Sequence, residues 1–379
     1  MPDVVIVQHR LLHYRVELFE IVKKYLAKEG IQLYLVHGGP SNKEATRKDV
    51  GTLKWAHEIR NYFFTIKGVD LIWQPLPKIT DSCDLLILMQ ENRIISNYSK
   101  ILKRYLLNKK VAFWGHGQNL QSANPSGLRE IWKKKWLKSV NWWFAYTTST
   151  VDYLISQNYP RDQITCLNNA IDVNGFKAEL SQVTEHDLVI LRQELNIPES
   201  SLIGIFCGSL YPEKRLDLML DAVDLIIDAI PNFQLIVIGD GPSKPFLQEA
   251  AMKRAWLKLV GVKKGFEKAK YFRLASVILN PGLVGLHILD SFCAGVPMVT
   301  TRDALHSPEY DYLENGKNGL VTKGTASDFA NAIVKLLGDS ATLNEMQRNA
   351  FLDSQKYTVE EMARRFANGI ISAVNASKE

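Results

Sequence analysis

The sequence has 379 residues, 46% of them hydrophobic and 23% charged, with a net charge of +6, which fits a soluble globular protein too long for one typical core and suited to two domains. No apolar run reaches the roughly 18–20 residues of a transmembrane helix, and the N-terminus lacks the basic region and cleavage site of a signal peptide. Four scattered cysteines, Cys83, Cys166, Cys207 and Cys293, form no Cys-x-x-Cys, so neither a disulfide framework nor a zinc site is expected, and a reduced, cytosolic protein follows.

Short apolar runs alternate with amphipathic stretches. Strands are predicted at 3–7, 31–36, 84–89, 110–114, 142–146 and near 164–167, with helices at 14–28, 94–107, 127–139 and 149–157. Interleaved strands and helices of this kind build a parallel sheet covered on both faces. The rhythm breaks over 171–200, where "NNAIDVNGF" is turn-rich and "EHDLVILRQELNIPES" is a polar helix ending at Pro198. It restarts with strands at 202–208, 233–241, 257–261, 276–282 and 296–301 and helices at 215–230, 243–254, 267–274 and 285–294. Helices at 326–337, 341–354 and 358–375 close the chain. The expected fold class is α/β, with two Rossmann-like domains facing each other across a cleft: 1–170, 171–357, and a last helix in 358–379 packing back towards the first domain. Ligands of such sheets bind beyond the carboxyl ends of the strands.

Three stretches of the second half carry candidate chemistry. In "FCGSLYPEKRLDLMLDA" (206–222), Lys214 and Arg215 stand where a helix begins. Cations there are unfavourable unless an anion joins them, and a phosphate would use both the dipole and the lysine; solvated loop cations are the alternative. "IVIGDGP" (236–242) is a strand entering a glycine turn. A full Gly-x-Gly-x-x-Gly is absent, which argues against a nicotinamide or flavin enzyme. In "NPGLVGLHILDSFCAGVPMVTTRD" (280–303), Gly282 and Gly285 allow close approach of backbone, and the amides of Leu283, Val284 and Gly285 could face a phosphate. Asp290, about a turn and a half into the predicted helix, could reach a ribose hydroxyl or be an ordinary solvated acid.

In this order and spacing, "GSLYPEKR", "GDGP" and "PGLVGLHILDSFCAGVPMV" resemble the nucleotide-binding domain of retaining glycosyltransferases of family four, which have the GT-B fold. "NNAIDVNGF" and "HSPEYDYLENGKNGLV" (306–321) extend the resemblance over roughly 165–340, and "FWGHGQN" extends it loosely into the first half. Two departures stand out. Ser209 occupies the place of an arginine, and the family's paired glutamates become Gly282 and Asp290. The resemblance implies that Lys214 neutralises a donor diphosphate, helped by Ser209 and Arg215, that the backbone at Gly282, Leu283, Val284 and Gly285 holds the distal phosphate, and that Asp290 binds the ribose. It also implies that His116 faces the donor sugar, that the donor is a UDP- or GDP-sugar, and that no cofactor is needed. A fixed cation stabilises the charge that grows on the diphosphate as the sugar leaves. No Asp-x-Asp occurs, so a metal held by that motif is not expected.

The first half is read as the acceptor side. His9, His13, Tyr14 and Arg15 follow the first strand, and Glu91 and Asn92 follow the strand at 84–89. Tyr14, Arg15, Glu91 and Asn92 are the candidate acceptor-binding residues; for Arg15 a helix-start salt bridge is the alternative. Between Tyr98 and Val140, ten lysines and arginines face Glu130 alone. With Trp132 and Trp136 they suit an anionic membrane surface and a lipid-linked acceptor, or merely a solvated face; no nucleic-acid recognition motif accompanies them. The expectation is a retaining, metal-independent transferase acting on a glycan or lipid-linked saccharide, cytoplasmic or peripheral to the inner face of the membrane. The rivals are a nucleotide-sugar epimerase of the same fold and a non-catalytic nucleotide-sugar-binding or scaffold protein.

Overall fold

The computed structural model describes residues 1–45, 49–66, 69–117 and 135–376. The chain forms two compact units, one of Met1–Ile171 with Val359–Glu379 and the other of Asp172–Thr358. Both are α/β with parallel sheets, as the alternation of apolar runs predicts.

The first unit holds β1 (Asp3–Gln8), β2 (Gln32–His37), β3 (His57–Glu58), β4 (Tyr62–Ile66), β5 (Val69–Trp73), β6 (Leu85–Met89), β7 (Lys110–Gly115), β8 (Trp142–Ala145) and β9 (Ile164–Cys166). Seven of these make a parallel sheet in the order β3-β2-β1-β6-β7-β8-β9, while β4 and β5 pair apart as an antiparallel hairpin. Val4, Val5 and Ile6 are fully buried, as a strand covered on both faces requires. Strand order reverses between β1 and β6, so the crevice at their carboxyl ends is the natural ligand position of this sheet. The last helix, Val359–Asn375, belongs to this unit and packs along the helix Val16–Lys28. Phe366 sets its ring 4.9 Å from Trp114 and 4.8 Å from Phe144. Lys110 closes the end of that helix by donating to the carbonyls of Ala373, Val374 and Ala376, a cation at a helix C-terminus.

The second unit holds β10 (Ile203–Cys207), β11 (Gln234–Ile238), β12 (Leu257–Gly261), β13 (Val277–Leu279), β14 (Met298–Thr301) and β15 (Gly319–Thr322), all parallel in the order β12-β11-β10-β13-β14-β15. The helix Leu216–Ala229 buries Met219, Val223 and Ile226 against Phe206, Phe233, Leu235 and Phe329. Here the order reverses between β10 and β13, which places the loops starting at Gly208 and Asn280 side by side.

Several expectations need correction. Residues 168–176 do not stay turn-like: Asp172 accepts the amide of Gly175 and so caps a helix, Val173–Gln182. An Asn-Gly pair suggests a turn, but the side-chain cap decides in favour of a helix. The polar helix after it ends at Glu194, not Pro198. The helix expected from 285 begins only at Ile288, which puts Asp290 in its first turn. The amides of Leu283 and Val284 are bound outside any helix, to Glu213 O and His306 Nδ1. Strands β3, β4, β5 and β15 had no sequence prediction, and the helix predicted over 127–139 lies mostly outside the described residues.

Candidate functional site

In the second unit the loop after β10 leads into a short 3-10 turn, Pro212–Lys214, and then into the helix Leu216–Ala229. Gly239, at the end of β11, permits this loop to pass: a Cβ there would lie 1.9 Å from Gly208 O. Lys214 is 7% exposed and donates its ammonium to Leu283 O. Among the described residues it has no ion-pair partner. Burial lowers its pKa to about 8. A buried ammonium held only by a carbonyl is costly, and an arriving anion would remove much of that cost.

Gly282 sits directly on this turn. A Cβ at that position would come within 2.3 Å of both Glu213 O and the Lys214 carbonyl carbon. This backbone therefore admits glycine and excludes any carboxylate at 282, which gives the departure from the family pattern a physical cause. The neighbouring amides are partly spent inside the protein: Leu283 N–H donates to Glu213 O at 2.9 Å, and Val284 N–H donates to His306 Nδ1 at 3.1 Å. Of the three amides expected to face a phosphate, only that of Gly285 makes no hydrogen bond among the described residues.

His306 is a site residue that sequence reasoning missed, although it opens the quoted stretch 306–321. Because Nδ1 accepts from Val284, Nε2 carries the proton and donates to Thr301 O at 2.6 Å. The ring stacks on Tyr310 with centroids 4.0 Å apart. Burial lowers its pKa, so it remains the neutral clamp that this double bonding requires. Asp290 is 8% exposed and pairs with Lys268 at 2.8 Å, so it is no solvated helix acid. Burial would lower the pKa of Lys268, but Asp290 outweighs it and raises the value. Lys268, also missed, comes from the helix Gly265–Leu274 and lies 4.0 Å over the Phe176 ring. Burial, with Asp290 adding to it, pushes the Cys207 thiol up to about 12. Lys214 acts on the same thiol in the opposite sense. Ser209 is exposed on the loop. Arg215 turns away to Thr301 Oγ1 at 3.1 Å and Gly324 O at 2.9 Å.

The first unit separates its candidates into two groups. Arg15 is 5% exposed, donates to Asn169 Oδ1, and lies over the rings of Tyr14, Trp114 and Tyr146. It makes no helix-start salt bridge among the described residues. His116, just after β7, packs its ring against the same Tyr146, with centroids 4.3 Å apart and the planes tilted by 35°. Tyr14, Arg15 and His116 thus share one aromatic cluster. Glu91 belongs elsewhere: Oε1 lies 3.1 Å from His9 Nδ1 and Oε2 lies 2.7 Å from Arg93 Nε, while Glu44 faces the other side of His9 at 3.4 Å. Asn92, beside them, accepts the Tyr98 hydroxyl at its carbonyl. The basic stretch is less free than its count suggests. Arg104 is fully buried and donates to the carbonyls of Thr80, Cys83 and Lys110, while Lys100 and Lys103 share Asp81. The rest of that stretch from 118 to 134 lies outside the described residues.

Comparison with known proteins places residues 202–339 under the family model "Glycosyl transferases group 1". The chain is 24% identical over 208 residues to an alpha-monoglucosyldiacylglycerol synthase of Acholeplasma laidlawii, covering 53% of this chain and 51% of that protein. It is 23% identical over 213 residues to a lipopolysaccharide 1,2-N-acetylglucosaminetransferase of Salmonella typhimurium, covering 51% and 54%. The chain thus spans about half the length of these curated relatives. In fold it matches HepE of Anabaena, solved in complex with UDP-glucose, with a TM-score of 0.67 at 14% identity over 98% of this chain and 100% of that one. That likeness covers both units and gives the chain the GT-B fold.

Proposed function

With residues 202–339 belonging to the glycosyl transferases group 1, we propose that the chain is a retaining glycosyltransferase that moves a sugar from a UDP- or GDP-sugar to a hydroxyl of a glycan or lipid-linked saccharide. The observation that carries this reading is Lys214, a buried ammonium without an ion pair among the described residues, set against the loop after β13. The diphosphate of the donor supplies the missing anion. Asp290, oriented by Lys268, receives the ribose hydroxyls. As the bond from the sugar's anomeric carbon to the phosphate oxygen breaks, its electron pair stays on the diphosphate, and Lys214 stabilises that charge. The acceptor oxygen bonds to the same carbon from the same face and passes its proton to the departing phosphate. His116, Tyr14, Arg15, Glu91 and Asn92 are assigned to the sugar and acceptor side. No helix among the described residues is long and apolar enough to cross a membrane; a cytoplasmic or membrane-peripheral location is part of the proposal.

A second reading, nucleotide-sugar binding without transfer, draws support from Gly282, where the packing of Glu213 and Lys214 leaves no room for an acid near the sugar. One experiment separates the two. UDP- and GDP-sugars are incubated with the protein and saccharide acceptors in EDTA, and products are followed by proton NMR. The account expects consumption of one donor and an axial or equatorial product bond matching that donor. Inverted products sink the retaining mechanism. Binding with neither transfer nor donor hydrolysis supports the second reading.

A further inference from the structure

His287 lies in the loop after β13, one residue before the helix Ile288–Ala294. Its Nδ1 approaches Gly285, 3.9 Å from where a Cβ on that glycine would stand. Its Nε2 is closed off from solvent and has no hydrogen-bond partner among the described residues. A polar nitrogen buried in this way lacks something that the ligand-bound state can supply. The other imidazole of the site cannot serve, because His306 uses both nitrogens to hold Val284 and Thr301. Nor does Arg215 serve, since its guanidinium is engaged by Thr301 and Gly324. Lys214 is thus one cation facing a ligand that carries more than one negative charge.

We propose that His287 is a further donor-site residue, whose imidazole takes up a proton when a nucleoside diphosphate binds and shares its charge with Lys214. The inference rests on the diphosphate reading of the Lys214 site. Its proton balance is simple: the proton comes from solution on binding and returns to solution when the nucleotide leaves. In the free protein the ring is kept neutral, first by burial and then by the charge of Lys214. The elements packed against this helix carry the carboxylates Glu309 (Pro308–Tyr312), Glu345 and Asp353 (Ser340–Asp353), Glu179 (Val173–Gln182) and Glu267 (Gly265–Leu274), and Asp290, on the helix itself, is paired with Lys268. A phosphate beside the ring reverses the balance by favouring the charged form. During sugar transfer the same charge would help to hold the leaving diphosphate.

The test is calorimetric titration of UDP-glucose, and in parallel GDP-glucose, whose diphosphates carry no group that titrates near neutral pH, into the wild-type protein in buffers of differing ionisation enthalpy. At about pH 6.5 Lys214 is already protonated, so it takes up almost nothing. The inference expects an uptake approaching about one proton per nucleotide in the wild type. In His287→Gln the uptake disappears and affinity falls by about tenfold or more, the loss of a hydrogen bond to a charged group. The uptake is read on the unaltered protein, so the test survives a variant that folds poorly. Wild-type binding without uptake, or a folded His287→Gln that binds like the wild type with the same uptake, overturns this inference and leaves the diphosphate site standing. Failure of both nucleotides to bind the wild type overturns the donor-site reading and this inference with it.

Discussion

Each unit buries charge at the carboxyl ends of its central strands, yet the two do so in opposite ways. In the first, His9, Arg93, Glu44 and Glu91 close on one another, with contacts of 2.7 to 3.4 Å. Burial alone would raise Glu91, but His9 and Arg93 outweigh it and hold the carboxyl at about 2. The hydrogen bond from His9 lowers Glu44 likewise, and the two carboxylates in turn raise His9 against its burial. In the second unit Lys214 has only the carbonyl of Leu283. The charges of the closed network balance one another as it stands, and breaking it is costly; the lone cation is costly as it stands and is relieved by a ligand. Burial and a shifted pKa alone therefore do not mark a diphosphate seat. What separates the two sites is whether the charge is already balanced.

The sharpest way to break this comparison is pH. Lys214 falls to about 8 in the folded protein, below its unfolded value. Between about 8 and 10.5 the unfolded chain binds the extra proton, so this group makes folding more favourable as pH rises through that window. Nucleotide binding needs the charged form and must weaken over the same window, by up to about tenfold per pH unit for one linked proton. UDP or GDP titrations alongside urea unfolding should show these opposite slopes; parallel slopes would mean that the lysine is not the seat.

A smaller effect sharpens the other half. Glu91 is depressed in the folded state, so its contribution is present above about pH 4.5 and is lost as pH falls towards about 2. His9 is raised, so its contribution is complete below about 6.5 and is lost as pH rises through its folded value. The network is whole between those limits. There, Glu91→Gln should cost about 2–4 kcal/mol in the first unit. Tryptophan fluorescence reads that unit, since Trp256 is the one tryptophan of the chain in the second. Nucleotide affinity should stay unchanged. An unaltered unfolding midpoint at about pH 5.5 would show the network to be no stabilising device.

The legible parts of the fold were those with strong apolar runs. "VVIV" and "LLIL" are fully buried strands in the structure, and "LKLVG" is β12 to the residue. The short edge strand β3 and the hairpin of β4 and β5 were not legible, because β3 and β4 bury little and carry no clear period, and Ile72 is the one fully buried residue described in β5. In the site, Lys214 and Asp290 stood out through the charge and glycines around them. His306 did not, because its value lies in two hydrogen bonds to loops distant in sequence. Lys268 was hidden for the same reason: nothing local signals its pairing with Asp290 across 22 residues. Gly282 looked like a lost acid, and only the closeness of the 213–214 backbone shows why no side chain fits there.

The central claim is that Lys214 is the seat of a nucleoside diphosphate. The most direct test is a thermal-shift panel of UDP, GDP and their sugars, with EDTA present, on the wild type and on Lys214→Met. The account predicts that one nucleotide family raises the wild-type melting temperature. The variant, relieved of a buried charge, should melt no lower without ligand yet show no shift with it. A variant that responds to the nucleotide as the wild type does, or a wild type that responds to none, would contradict the account.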